Sequence, residues 1–122
     1  MNGLMVFLGG GLGALTRYMF YLILPKVSYF PLGTLIANFL GCFIATFVFT
    51  FLIYKTEVNS MYRLLLITGF CGGLSTLSAL SVELTLFIQN QEYLRAVLYV
   101  VTSLLICIIS VILGLVLVKK YV

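Results

Sequence analysis

The side chains able to coordinate, donate or ionise are few in this chain, and nearly all lie inside long apolar runs. Arg17, Asn38, Ser75, Thr76, Ser78, Ser81, Glu83, Tyr99 and Ser103 each sit in strongly hydrophobic surroundings along the sequence. There is no histidine, and Cys42, Cys71 and Cys107 make an odd number without a CxxC spacing. Neither a disulfide framework nor a zinc site is supported; the three read as small buried apolar residues. No phosphate-binding glycine loop and no Ser/His/Asp or Cys/His set is present, which argues against an enzyme. What remains is coordination chemistry. Neutral donors can replace the water around an anion, and backbone carbonyls can do the same for a cation.

The densest group is GFCGGLSTLSAL, residues 69–80, with three glycines, three hydroxyl residues and no charge. Each hydroxyl or freed backbone group in hydrocarbon costs free energy unless it finds a partner. Gly69, Gly72 and Gly73 weaken a helix here, while Ser75 and Thr76 are good N-caps for one restarting toward Glu83. A helix broken at mid-membrane leaves carbonyls unpaired on one side and N–H groups on the other. The carbonyl side suits a dehydrated cation and the N–H side an anion. The alternative is a kinked but continuous helix, its hydroxyls bonded to carbonyls one turn back.

Ser78 and Ser81 carry the hydroxyls past the break, and Glu83 is the one acid within a hydrophobic segment. Tyr99, Ser103 and Cys107 fall at i, i+4 spacing on one face of the last segment, with Ser110 further along. Two such stripes read as a narrow, uncharged track for a small anion. A buried lysine would hold the ion too tightly to pass it on. Arg17, in GGGLGALTRY, either sits in a water-filled vestibule that concentrates anions or snorkels toward the Lys26 loop. Asn38, in GTLIANFLG, either bridges two helices or lends its amide to the anion route.

Positioning these residues falls to four hydrophobic segments, at about 3–24, 32–54, 62–88 and 95–118. Each exceeds the roughly 20 residues that a spanning helix needs. Of the 122 residues, 63% are hydrophobic and 8% charged, with mean hydropathy +1.25; soluble domains are about 45–50% apolar and about 25% charged. The expectation is one four-helix transmembrane domain over residues 1–122, multi-pass in the cell membrane. The first segment lacks the basic start of a cleavable signal peptide. The net charge of +4 comes from lysines and arginines at segment ends rather than from a nucleic-acid-binding face. Lys55, Arg63, Lys119 and Lys120 gather on the side of the termini, against Lys26 and Arg95 opposite. That is a mild preference for cytoplasmic termini. Four helices of this length enclose no polar pathway alone, so the chain is expected to oligomerise.

GGGLGALTRY, GTLIANFLG, GFCGGLSTLSALSVE and YVVTS, in this order along the whole chain, resemble the small dual-topology fluoride channels of prokaryotes (the Fluc/CrcB family). The resemblance implies an all-α membrane protein with helix 3 broken at mid-membrane. It implies an antiparallel dimer, one subunit inverted, passing fluoride out of the cytoplasm through two narrow pores. A structural Na+ between the subunits would be held by the carbonyls of Gly72 and Ser75. The anion pathway would draw on Arg17, Asn38, Thr76, Ser78, Ser81, Tyr99 and Ser103. One departure is plain. The family motif carries two phenylalanines whose partly positive ring edges approach the anion, and Leu77 and Leu80 stand there instead.

A subunit without those rings is expected to pair with a homologous, non-identical chain that supplies them. The alternatives are a homodimer with leucine-lined pores and a non-conducting assembly subunit. A small multidrug exporter is remote, because such exporters need an acid in the first span and none is present here.

Overall fold

The computed structural model describes residues 1–24, 30–54 and 59–121. Lys26 and Lys55, two of the six charges in the orientation count, lie outside the described residues. Helices dominate: α1 spans Asn2–Ile23 and α2 Leu32–Tyr54. The third span, Ser60–Gln89, is two pieces. We call residues 60–74 α3 and Leu77–Gln89 α4, and α5 is Tyr93–Tyr121. These are the four expected segments, the last two extended at both ends.

All four spans are long and apolar enough to cross a membrane, and the protein is multi-pass. Only 11–28% of each span's apolar window is buried within the chain. The rest of the apolar surface therefore faces lipid or another subunit. α1 packs chiefly along α3, and α2 along α5. A sharp turn joins α4 to α5, with Gln91 at φ 60° and the Glu92 N–H donating to the Phe87 carbonyl at 2.8 Å. Arg95 Nη1 then donates to both carboxylate oxygens of Glu92, at 2.9 and 3.0 Å. Along α2, Phe39, Phe43, Phe47 and Phe51 stack one per turn, with centroids 6.1–6.3 Å apart.

α3 is not a regular α-helix. Leu64–Cys71 winds as a π-helix, a wide form that recurs at functional sites. Gly69 and Gly73 serve close packing rather than the break itself, which falls one residue beyond Leu74. A methyl on Gly69 would lie 2.9 Å from the Cα of Gly9, and one on Gly73 would run into the Gly10 carbonyl. Methyls on Gly9 and Gly13 would overlap the carbonyls of Leu65 and Phe70. The two backbones touch as in small-residue membrane interfaces.

Gly13→Ala should therefore destabilise the protein by about 1–3 kcal/mol, the usual cost of overpacking a tight contact. Gly11→Ala, with nothing within 4 Å, should not. Thermal unfolding in detergent separates them, and equal midpoints for the two variants would refute this account of the interface.

Candidate ion pathway at a helix break

The backbone of the third span opens at Ser75 and Thr76, both extended, with φ/ψ of −76°/145° and −152°/124°. Thr76 is the N-cap of α4, its hydroxyl accepting from the Ala79 N–H at 3.2 Å. Ser75 closes α3 instead. Its N–H and its hydroxyl both donate to the Cys71 carbonyl, each at 2.9 Å. Of the two expected caps, one faces forward and the other back.

Asn38 holds the gap from α2. Its Oδ1 accepts from the Thr76 N–H at 2.6 Å, and its Nδ2 donates to the Thr76 carbonyl at 3.4 Å. One amide thus pairs with both polar groups of a single extended residue, at a buried site. Gly41, one turn along the same face, lets the break approach, since a methyl there would lie 2.8 Å from the Ser75 Cβ. Asn38 accordingly bridges two helices, with one of its two amide N–H groups engaged with backbone.

Beyond the break, the Thr76 and Ser78 hydroxyls bond each other at 2.9 Å. Ser78 also lines a groove of about 320 Å³ with Ala14, Arg17, Tyr18, Tyr21, Ala79 and Val82. Arg17 is six residues before the end of α1, about 9 Å in at 1.5 Å per residue. Tyr21, one turn on, ties the groove to a buried cluster. Its hydroxyl lies 2.8 Å from that of Thr34, which donates to Glu83 Oε1 at 2.6 Å. With the Thr34 proton so used, Tyr21 is the donor in their bond. Tyr99 donates to Glu83 Oε2 at 2.5 Å. Its ring, fully buried, stacks on Phe30 and meets Phe87 edge-on, both at 5.8 Å. Ser103, one turn along α5, donates back to the Tyr99 carbonyl at 2.7 Å.

The polar track expected to be uncharged thus holds an ionisable group, Glu83, as an acceptor within it. Two hydroxyls from different helices converge on the Glu83 carboxyl. Thr34 and Tyr21 were missed in the sequence, although Thr34 lies one turn before Asn38 in GTLIAN on the same face. Ser81 does not join: it is exposed, and its hydroxyl returns to the Leu77 carbonyl at 2.9 Å. The two motif leucines also part company. Leu80, 8% exposed, packs with Leu35 and Tyr99, while Leu77 is 76% exposed and points away from the chain's own core.

Residues 4–115 match the family described as CrcB-like protein, Camphor Resistance (CrcB). The chain belongs to the CrcB-like family. Curated relatives named fluoride-specific ion channel FluC align over almost all of both chains. That of Pyrococcus abyssi is 44% identical over 117 residues, covering 96% of this chain and 95% of its own. Those of Hydrogenobaculum sp. and Gloeothece citriformis are 42% and 41% identical, covering 93% and 96% of this chain and 94% and 96% of theirs. The name these relatives carry is that of an ion channel and not of an enzyme.

Among the described residues no cluster of His, Cys, Asp or Glu could hold a metal. Backbone carbonyl oxygen suits a hard cation. A helix end leaves its last carbonyls without intrahelical partners. Here Cys71's carbonyl is taken by Ser75, and those that follow, Gly72 to Ser75, are the ones a cation could use.

Asn38→Ala strips both polar groups of Thr76 of their partner. Leaving buried groups unpaired costs about 1–3 kcal/mol, so amide hydrogen exchange across residues 75–80 should quicken about ten- to hundredfold. Unchanged exchange there would mean that Asn38 does not hold the break.

Proposed function

We propose that this chain is a subunit of a fluoride channel that lets the ion leave the cytoplasm, relieving fluoride toxicity. The observation that carries the reading is the convergence of the Thr34 and Tyr99 hydroxyls on one acceptor inside a membrane-spanning fold. Side chains placed to stabilise a carboxyl oxygen are placed to stabilise fluoride, which also accepts hydrogen bonds and carries negative charge. The relatives' activity supplies the identity of the ion. Hydroxyls are rotors, so each can turn from its protein acceptor to a passing anion and back. That makes many weak sites rather than one deep one, as conduction requires.

The route begins at the groove of Arg17, Tyr21 and Ser78, where a fixed positive charge raises the local anion concentration. It passes Thr34, Glu83 and Tyr99 and continues toward Ser103. Asn38 and Thr76 form its wall at the break, and Ser81 lies on the face turned outward. This places Arg17, Asn38, Thr76, Ser78, Tyr99 and Ser103 on or beside one path.

The working unit in this reading is an antiparallel dimer. Gly72, Leu77 and Ser78 are exposed at the level of the break, and non-helical backbone at membrane depth needs protein or a cavity to cover it. Na+ at the carbonyls of Gly72 and Ser75, shared with the inverted partner, would add positive charge at the centre and fix the two breaks against each other. The exposed Leu77 reaches toward the partner's path and the buried Leu80 lines this chain's own. A leucine offers no positive ring edge at either place. The partner is accordingly a homologous, non-identical chain that brings the phenylalanines.

Fluoride efflux from liposomes tests these points. The chain alone should give little flux and the chain with its partner much more; full flux from the chain alone would leave a homodimer with leucine-lined pores. Leu77→Phe with Leu80→Phe should raise flux from the lone chain at least tenfold. Thr34→Val with Tyr99→Phe, in the conducting pair, should lower it at least tenfold while dimers still form. Wild-type flux from that double variant would take the hydroxyls off the route. Equal flux from the partner alone and from the pair would leave the assembly-subunit reading, and no flux in any combination would leave the channel reading without support.

A further inference from the structure

A second cavity lies at the other end of the bundle, away from the hydroxyl track. It is a groove of about 480 Å³ lined by Ala45, Thr46, Phe49, Thr50, Ile53, Tyr54, Ile67 and Leu115, in the size range of ligand sites. Three helices make it: the second half of α2, the middle of α3 and the last third of α5. Its walls are almost wholly apolar; a guanidinium overlies one lining residue, and two lysines follow another by about one turn. Arg63 lies four residues before Ile67, about one turn nearer the membrane surface, with its guanidinium 5.6 Å from the ring centroid of the groove-lining Phe49. Lys119 lies four residues after Leu115 on the same helix face, and Lys120 follows. In the connecting segment the formal charges of Lys55 and Glu57 cancel, so these three set the sign of that end.

We propose that this groove binds an anionic phospholipid, with one acyl chain between α2, α3 and α5 and its phosphate against Arg63 and Lys119. The apolar walls match a hydrocarbon tail. A guanidinium beside a second cation matches a phosphodiester, which arginine can grip in bidentate fashion. A zwitterionic lipid offers the same tail and phosphate but adds its own cation, which these residues repel. Anionic lipid is enriched in the cytoplasmic leaflet, the side that the mild excess of basic residues favours for this end of the chain. Such a lipid would favour one of two insertion orientations over the other. The inference stands on the groove and its charges, and holds whether or not the chain conducts fluoride.

Native mass spectrometry of the purified protein tests it, with phosphatidylglycerol and phosphatidylcholine of identical chains as probes. Phosphatidylglycerol should be retained at least tenfold more strongly. Arg63→Gln with Lys119→Gln should bring the two lipids within twofold of each other without loss of fold, since both residues lie at the surface. Ala45→Phe, which fills the groove, should lower retention of both. Equal retention of the two lipids by the unsubstituted chain would overturn the proposal, as would a preference that survives loss of both charges. So would a disulfide-linked dimer formed by Ile53→Cys and absent from the unsubstituted chain, because a second copy would then cover the groove.

Discussion

The fold turns on a pairing of one side-chain amide with one peptide unit: Asn38 against the N–H and carbonyl of Thr76. Hydrocarbon supplies no hydrogen bonds, so a spanning backbone normally satisfies itself by staying helical. Here two residues leave the helix, and their polar groups have to be met from elsewhere. Ser75 looks after the end of α3 with its own N–H and hydroxyl, and Thr76 caps α4 with its side chain. The peptide groups of Thr76 itself are what neither half can reach. Asn is the side chain whose geometry covers both, because it carries a donor and an acceptor side by side. Asp would lack the donor and Leu both.

That pairing works because the helices around it come unusually close. α1 meets α3 backbone to backbone through Gly9, Gly13, Gly69 and Gly73, and α2 meets the break through Gly41. A side chain at any of these would hold the break away from Asn38 or push Arg17 and Tyr21 away from Ser78. Small residues and the polar clamp are thus one device. The wide turns of Leu64–Cys71 belong to it as well, since they carry the carbonyls of Leu65 and Phe70 that lie against α1.

Much of this was legible in the sequence, and what was not has a physical cause. The four spans followed from hydropathy, which is all a bilayer needs to read. The break followed from clustered glycines and hydroxyls, although their roles were misassigned: Gly69 and Gly73 pack, and the extended residues are Ser75 and Thr76. Asn38 was visible as an amide in hydrocarbon, but which helix it served was not, because that depends on packing between segments far apart in the chain. Thr34 and Tyr21 escaped for the same reason. A threonine near a helix start and a tyrosine near a helix end are ordinary in a membrane protein. Only the tertiary fold makes them ligands, directly and through each other, of Glu83. Ser81 stood out by period and position, and in the fold its hydroxyl bonds a carbonyl of its own helix, as that of Ser103 does.

The difference between Leu77 and Leu80 bears on why a chain could keep this scaffold while losing its aromatics. Leu80 sits against Tyr99, whose ring is already fixed by Phe30 and Phe87, so the phenol is held toward Glu83 without help from residue 80. Leucine fills that space, and the hydrogen-bonding geometry survives. Leu77, largely exposed, does nothing for its own chain's core, so its identity matters only to whatever lies beside it. The scaffold of break, clamp and hydroxyls is therefore locally self-sufficient. The positive edges that would draw a small anion past the apolar stretch are separable from it. Because they are separable, two unequal chains can divide the work: one can contribute the clamp and the hydroxyl track while the other contributes the rings.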